Sequence, residues 1–375
     1  MHNIMGIIMT SDQNPALKEL IEHRCTATLP LGGKYSVIDF VLSNMVNAGI
    51  YDVGLVAQYK FRSLIHHIGS GKEWDLDRKN GGITILTPYL GNAHSGWYHG
   101  TADALHQNLS FLKNSTSDYV VICRENCIYK LSYTKILDFH LAKNADITVA
   151  YKQMDHCTVQ DFRHAPFLQI DGTHKILGMQ PKSFYSKKAN VPIGVCLLKR
   201  ELCIQLVEAC AAPGNKDMLE HIFMKKIPDL NIYAYPFKGY WKCINTVQSY
   251  YKCNMDLLNL KRQYELFKKD GPIYTRTDDS SPAKYCENAD VRNSLIAGGC
   301  HIKGRVQNSI LFPGVTVGKG AVVKNSIVMH NALIEEDVLL TNAIVDKKAS
   351  ITHRRAVKGV MSNPILIGSE GEGRC

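Results

Sequence analysis

The stretch NSILFPGVTVGKGAVVKNSIVMHNALIEEDVLLTNAIVDKKASI, residues 308–351, decides the fold of the C-terminal part of the chain. Its segments opening at Asn308, Asn325 and Asn342 begin alike, and NSLIAG at 293 precedes them, giving spacings of 15, 17 and 17 residues. Self-similarity at a short, nearly fixed period marks a solenoid. Inside the repeat, Val315, Ala321 and Ile327 recur at six-residue intervals, and Val338 and Ile344 continue the rhythm. If three such hexads make one triangular coil, Ile310, Ile327 and Ile344 stack in one column, Val315, Ala332 and Ala349 in a second, and Ala321 over Val338 in a third. Small and β-branched residues suit inner corners, and Gly314, Gly318 and Gly320 suit tight turns. A run of β-hairpins does not predict columns in register, so the expectation is a parallel β-helix.

Upstream of the repeat, GPIYTRTDDSSPAKY (271–285) is turn-rich and reads as a linker between an α/β domain at 1–270 and the β-helix domain at 286–375. Through about residue 270, short apolar runs alternate with amphipathic segments, the pattern of a parallel sheet covered by helices. Candidate strands are 4–9, 52–57, 118–123, 146–151, 192–198 and 231–236; candidate helices are 36–48, 102–113, 133–144, 199–211, 217–227 and 246–261. That order predicts a doubly wound, Rossmann-like domain with ligands at the carboxyl ends of its strands.

Composition narrows the function. Of 375 residues, 45% are hydrophobic and 21% charged, which fits a soluble globular protein. No apolar run approaches the roughly 20 residues that cross a bilayer, so no membrane partner is expected. IMGIIM at 4–9 lacks a basic stretch before it and a cleavage site after it, so it reads as a buried strand rather than a signal. The 12 cysteines show no CxxC pair or zinc spacing, consistent with thiols in a reducing cytoplasm. A net charge of +10 is spread along the chain without a nucleic-acid signature, pointing to anionic small molecules or an acidic partner subunit.

Three motifs then carry a specific resemblance. LPLGGKYSVIDFVLSNMVNAGI at 29–50, SGWYHGTADALHQNL at 95–109 and YPFKGYWKCINTVQSYYKCNMDLL at 235–258 resemble, in order, segments of glucose-1-phosphate adenylyltransferase (ADP-glucose pyrophosphorylase). Together with the repeat, the likeness covers essentially the whole chain. The resemblance implies a nucleotidyltransferase domain and a left-handed β-helix. It also implies the reaction of ATP with glucose 1-phosphate to give ADP-glucose and pyrophosphate, in bacterial glycogen biosynthesis. The family's chemistry needs a glycine-rich loop for the triphosphate, carboxylates for magnesium and a lysine for the sugar phosphate.

At each of those places the chain departs from the family. Where the family has Gly-Gly-x-Gly-x-Arg-Leu, this sequence reads SDQNPAL, Ser11 to Leu17, with Ala16 in place of the arginine. Downstream, the family's Lys-Pro is Thr26-Ala27, with Arg24 preserved nearby. The two metal aspartates are matched by Asn126 and Cys243, and the sugar-phosphate lysine by Gln180. A thiol is a poor ligand for hard magnesium. The expectation is therefore no cofactor and no catalytic residue. In its place stands a regulatory subunit resembling the non-catalytic partner that joins a catalytic adenylyltransferase subunit, in a cytoplasmic heterotetramer. A weakly active enzyme, with Glu125 as a substitute ligand, and a metabolite-sensing module are the alternatives.

The surviving residues leave two possible uses for the scaffold. Gly32, Gly33, Gly100, Thr101 and Ala102 read as a remnant of the nucleotide pocket, because a helix N-terminus favours anions. Arg24, Lys34, Arg354 and Arg355 are candidate ligands for an anion or a phosphorylated effector, or else solvated basic surface. Asp103 reads as a first-turn acid complementing its helix, and Trp97 and Trp241 as packing anchors.

Overall fold

A computed structural model describes residues 2–10, 14–88, 97–155, 167–180, 188–209, 225–352 and 356–368. Its N-terminal part is built on a seven-stranded sheet with the order Ile232–Pro236, Ile147–Asp155, Lys188–Lys199, Tyr119–Arg124, Ile4–Met9, Asp52–Val56 and Gly82–Leu86. The first strand alternates strictly. Ile8 packs on one face with Val53, Leu55, Val121 and Cys123, while Met5, Ile7 and Met9 pack on the other with Val120 and Ile122. Both faces are therefore buried, as a helix-covered sheet requires.

All pairings in this sheet are parallel except those of Lys188–Lys199, which runs antiparallel to both neighbours. The expected parallel sheet thus carries one antiparallel strand. Between Ile147–Asp155 and Lys188–Lys199 the described chain forms a hairpin, Phe167–Ile170 with Ile176–Gln180, rather than a crossover helix. Only a crossover would return the chain in the same direction. Two expected helices are each split, into Thr101–Gln107 with Leu109–Asn114 and Val247–Asp256 with Leu260–Phe267. The expected helix at 217–227 lies outside the described residues up to 224, and 225–229 form turns.

The C-terminal part is a left-handed β-helix of three five-stranded parallel sheets. Ile310, Ile327 and Ile344 are register partners in successive coils, and Val315, Ala332, Ala349, Ala321 and Val338 are all buried inside. Its first strand, Lys284–Tyr285, pairs with His301–Ile302 and falls within the stretch read as linker. Two polar ladders reinforce the corners. Asn293, Asn308, Asn325 and Asn342 all have positive φ, and the Asn325 amide donates to Asn342 Oδ1 at 3.2 Å. Beside them, Ser309 N–H donates to Ser294 Oγ and Ser326 N–H to Ser309 Oγ, both at 3.1 Å. The recurring Asn-Ser pair is thus a hydrogen-bonding device, with asparagine tolerating the left-handed backbone better than other side chains.

One core crosses between the two parts. Leu17, Leu20, Phe40, Tyr250 and Leu257 of the α/β domain pack with Ile310, Phe312, Ile327, Met329 and Ile344 of the coil. Among the described residues no helix is long and apolar enough to cross a membrane.

Candidate functional site

The described part of the segment in place of the family's phosphate loop, from Asn14 on, is packed locally. Residues 11–13 lie outside the described chain. From Pro15 to Ile21 the backbone makes two short 3-10 pieces separated by a kink at Lys18, with φ of 50°, and Asn14 caps the first, its Oδ1 accepting from Ala16 N–H at 3.1 Å. Leu17 N–H donates to Asn14 O at 3.0 Å and Glu22 N–H to Glu19 O at 3.0 Å. Leu17, Leu20 and Ile21 are buried. Among the described residues, the N–H groups of Ala16 and Leu17 are thus bonded locally and Leu17, Leu20 and Ile21 face a hydrophobic core, while Pro15, Lys18 and Glu19 are exposed.

Asn126 and Cys243 meet at the same place. The strands Cys127–Tyr129 and Trp241–Cys243 pair antiparallel with Cys127 opposite Cys243. Asn126 Nδ2 donates to Asn245 Oδ1 at 2.8 Å, and Ile244 N–H donates to Asn126 O at 2.7 Å. Asn245 O accepts from Asn14 Nδ2 at 2.8 Å, which ties the 3-10 turn to the segment after Cys243. The structure thus brings Ala16, Asn126 and Cys243 together around Asn14 and Asn245, two residues whose role sequence reasoning missed. The contacts that join them, Asn14 to Asn245 and Asn126 to Asn245, are long-range, so no local signal announces them. Among the described residues, no group of three or more His, Cys, Asp or Glu side chains is arranged to hold a metal ion.

Other expected residues lie apart. Gln180 ends the second strand of the hairpin, with its backbone opposite Phe167. Gly100, with φ of 142°, precedes the helix Thr101–Gln107, and Ala102 is buried. Asp103 lies in the first turn of that helix and accepts from His99 N–H at 2.8 Å and from Gln107 Nε2 at 3.1 Å. Tyr98 is clasped by Gln58 through N–H to Oε1 at 2.7 Å and Nε2 to Tyr98 O at 3.3 Å. Trp241 is buried. Trp97 is 52% exposed and stacks on Tyr59 at 4.9 Å, which corrects its reading as a packing anchor. Arg354 and Arg355 lie outside the described residues.

Gly32 and Gly33 do not join Gly100, Thr101 and Ala102. With φ of 62° and 81° they form the turn of a small hairpin, where Gly32 N–H donates to Asn254 Oδ1 at 3.0 Å. That hairpin lines a cleft of about 900 Å³ between the two domains, along with Lys34, Arg276, His330 and Lys347. Asp278 and Asp279 are its acidic residues, so cations predominate. Lys34 is exposed there. Burial, reinforced by Arg24, holds the Lys347 ammonium below its ordinary pKa, and burial with Lys347 pushes the His330 imidazole down to about 4. Asp346 facing Lys347 and Asp278 facing His330 offset part of these shifts. Arg24 borders the same cleft, yet its Nη2 lies 2.6 and 2.8 Å from the two carboxylate oxygens of Asp346. Its reading as an anion ligand is corrected accordingly: the charge is already paired inside the protein.

Sheet, loop position and coil together define a nucleotidyltransferase scaffold joined to a hexapeptide-repeat domain. The nucleotidyl transferase family model matches residues 6–259, and the GlmU-like C-terminal hexapeptide model matches residues 281–360. A glucose-1-phosphate adenylyltransferase of Thermosipho melanesiensis is 37% identical over 86% of this chain and 78% of that protein. One from Clostridium perfringens (strain 13 / Type A) is 36% identical over 98% of this chain and 95% of its own length. Another, from Clostridium botulinum (strain Alaska E43 / Type E3), is 38% identical over 86% and 84%. The chain belongs to the glucose-1-phosphate adenylyltransferase family.

Membership overturns the expectation of no cofactor. The family's enzymes use magnesium, and replacement of aspartates at two positions does not show that the metal has been lost. What the described residues offer there is the buried carboxylate of Glu125 and the amides of Asn126 and Asn245. This set is not the family's pair of opposed carboxylates.

Proposed function

We propose that the chain is a regulatory subunit of a glucose-1-phosphate adenylyltransferase. It joins a catalytic subunit in a heterotetramer of bacterial glycogen biosynthesis, with little turnover of its own. The observation that supports this most is at the described end of the loop position, where Ala16 and Leu17 N–H are bonded to Asn14 and Leu17 packs with Leu20 and Ile21 in the core shared with the coil. The basic interdomain cleft with Lys34, Arg276 and Lys347 supports a second part of the reading, a phosphorylated metabolite as effector.

Assaying the purified chain with and without a catalytic subunit tests both parts. Expected are negligible pyrophosphate release from ATP, glucose 1-phosphate and magnesium by the chain alone, and a changed Vmax, substrate affinity or activation of the partner. Turnover by the chain alone that matches a catalytic subunit, or an unchanged partner at saturating ratio, overturns the reading. A weakly active enzyme is the second reading. It is favoured by one observation, a buried acid at Glu125, one residue before Asn126 in the chain, and loss of a slow turnover in Glu125→Gln decides for it.

A further inference from the structure

The cross-strand pairing that places Cys127 opposite Cys243 also brings their free thiols together, with the sulfurs 3.2 Å apart. Directly opposed residues of an antiparallel pair have Cα atoms about 4.5–5.5 Å apart. That lies inside the roughly 4.4–6.8 Å that a disulfide spans. Side-chain rotation is therefore enough to close the bond, with no strand shift. Access is asymmetric, since Cys127 is 2% exposed and Cys243 is half-buried.

We propose that Cys127 and Cys243 are a reversible redox pair, closed to a disulfide by a peroxide or by a small-molecule disulfide. With hydrogen peroxide, Cys243 Sγ attacks one oxygen, the O–O bond breaks, and a sulfenic acid and one water result. Cys127 Sγ then attacks Cys243 Sγ. The S–S bond forms, the S–O bond breaks, and the thiol proton leaves with the hydroxyl as a second water. Two thiols lose two electrons and one peroxide gains them. With a small disulfide as oxidant, two exchanges release two small thiols. Asn245, two residues beyond Cys243, holds both Asn14 and Asn126. Closing the pair fixes the strand to which the 3-10 turn is tied. This site stands independently of whether the chain turns over substrate.

The test uses the native full chain, treated with hydrogen peroxide or oxidised glutathione, acid-quenched, alkylated, digested and mapped by mass spectrometry. The expected product is a peptide linking Cys127 to Cys243. It is absent from Cys243→Ser and returns to two alkylated thiols after dithiothreitol. Overturning results are both thiols still alkylatable once other cysteines have oxidised, a glutathione adduct or sulfinic acid on Cys243 without the link, or a link that appears only in urea. The wild-type map decides these outcomes even if a serine variant fails to fold.

Discussion

Arg24 and Asp346 stand 322 residues apart in the chain and meet with a guanidinium nitrogen 2.6 Å from a carboxylate oxygen. Their side chains are only 8% and 6% exposed. The pair joins the α/β domain to the β-helix. Removing one partner of a buried ion pair strands the other charge, at about 3–5 kcal/mol. Asp346→Asn should therefore lower unfolding stability by about that amount. Adding Arg24→Met to it should recover much of the loss, because the stranded charge is then gone. Urea titrations of the two single variants and the double variant make the cycle. Additive effects would mean the two side chains do not act as a pair.

Leu17 gives a sharper test of what became of the phosphate loop. Its side chain is fully buried in the core shared by the two domains. Leu17→Ala should cost about 2–5 kcal/mol, as truncations in well-packed cores do. A stability loss below 1 kcal/mol, together with a change in nucleotide affinity, would mean that the segment serves a ligand rather than the core.

How far sequence reaches is visible in these same residues. The columns Ile310, Ile327 and Ile344 were legible because their cause is local: each coil repeats the spacing of the one before. The departures at Ala16, Asn126 and Cys243 were legible too, because motifs around them fix the alignment. What joins them was not. Asn14 finds Asn245 across 231 residues, and neither type at either position announces a partner. Strand direction was equally hidden, since the apolar run in Lys188–Lys199 reads the same whichever way it runs. Gly82–Leu86 escaped notice as a five-residue edge strand beside a turn.

The asparagine column separates backbone conformation from hydrogen bonding. Asn325 has φ of 48° and donates to Asn342 Oδ1. Asn325→Ala forfeits the bond, worth about 1 kcal/mol, and places an ordinary side chain in the left-handed region at about 1–2 kcal/mol more. Asn325→Gly forfeits the bond and some backbone entropy but avoids the left-handed penalty. Thermal and urea unfolding should therefore rank wild type above glycine and glycine above alanine. Equal losses in the two variants would remove backbone conformation as the reason asparagine sits at these corners.

Two histidines predict how stability varies with pH. His140 is buried with Nδ1 2.8 Å from Thr148 Oγ1. Burial foremost, then Lys199, pushes its pKa from 6.5 down to about 4. His330, beside Lys347, is pushed to about 4 as well. Between pH 6.5 and 4 the unfolded chain binds protons at these positions that the native chain refuses. Stability therefore rises with pH across that window, is fully present above about 6.5, and falls as pH drops toward 4. Each histidine contributes at most about 1.4 kcal/mol per pH unit, and less for His330, which retains some contact with solvent. The urea midpoint should be lower at pH 5 than at pH 7. His140→Asn, which cannot titrate but can still reach Thr148, should flatten that difference. A midpoint that holds steady or rises on acidification would show that the native protein accepts these protons as readily as the unfolded chain.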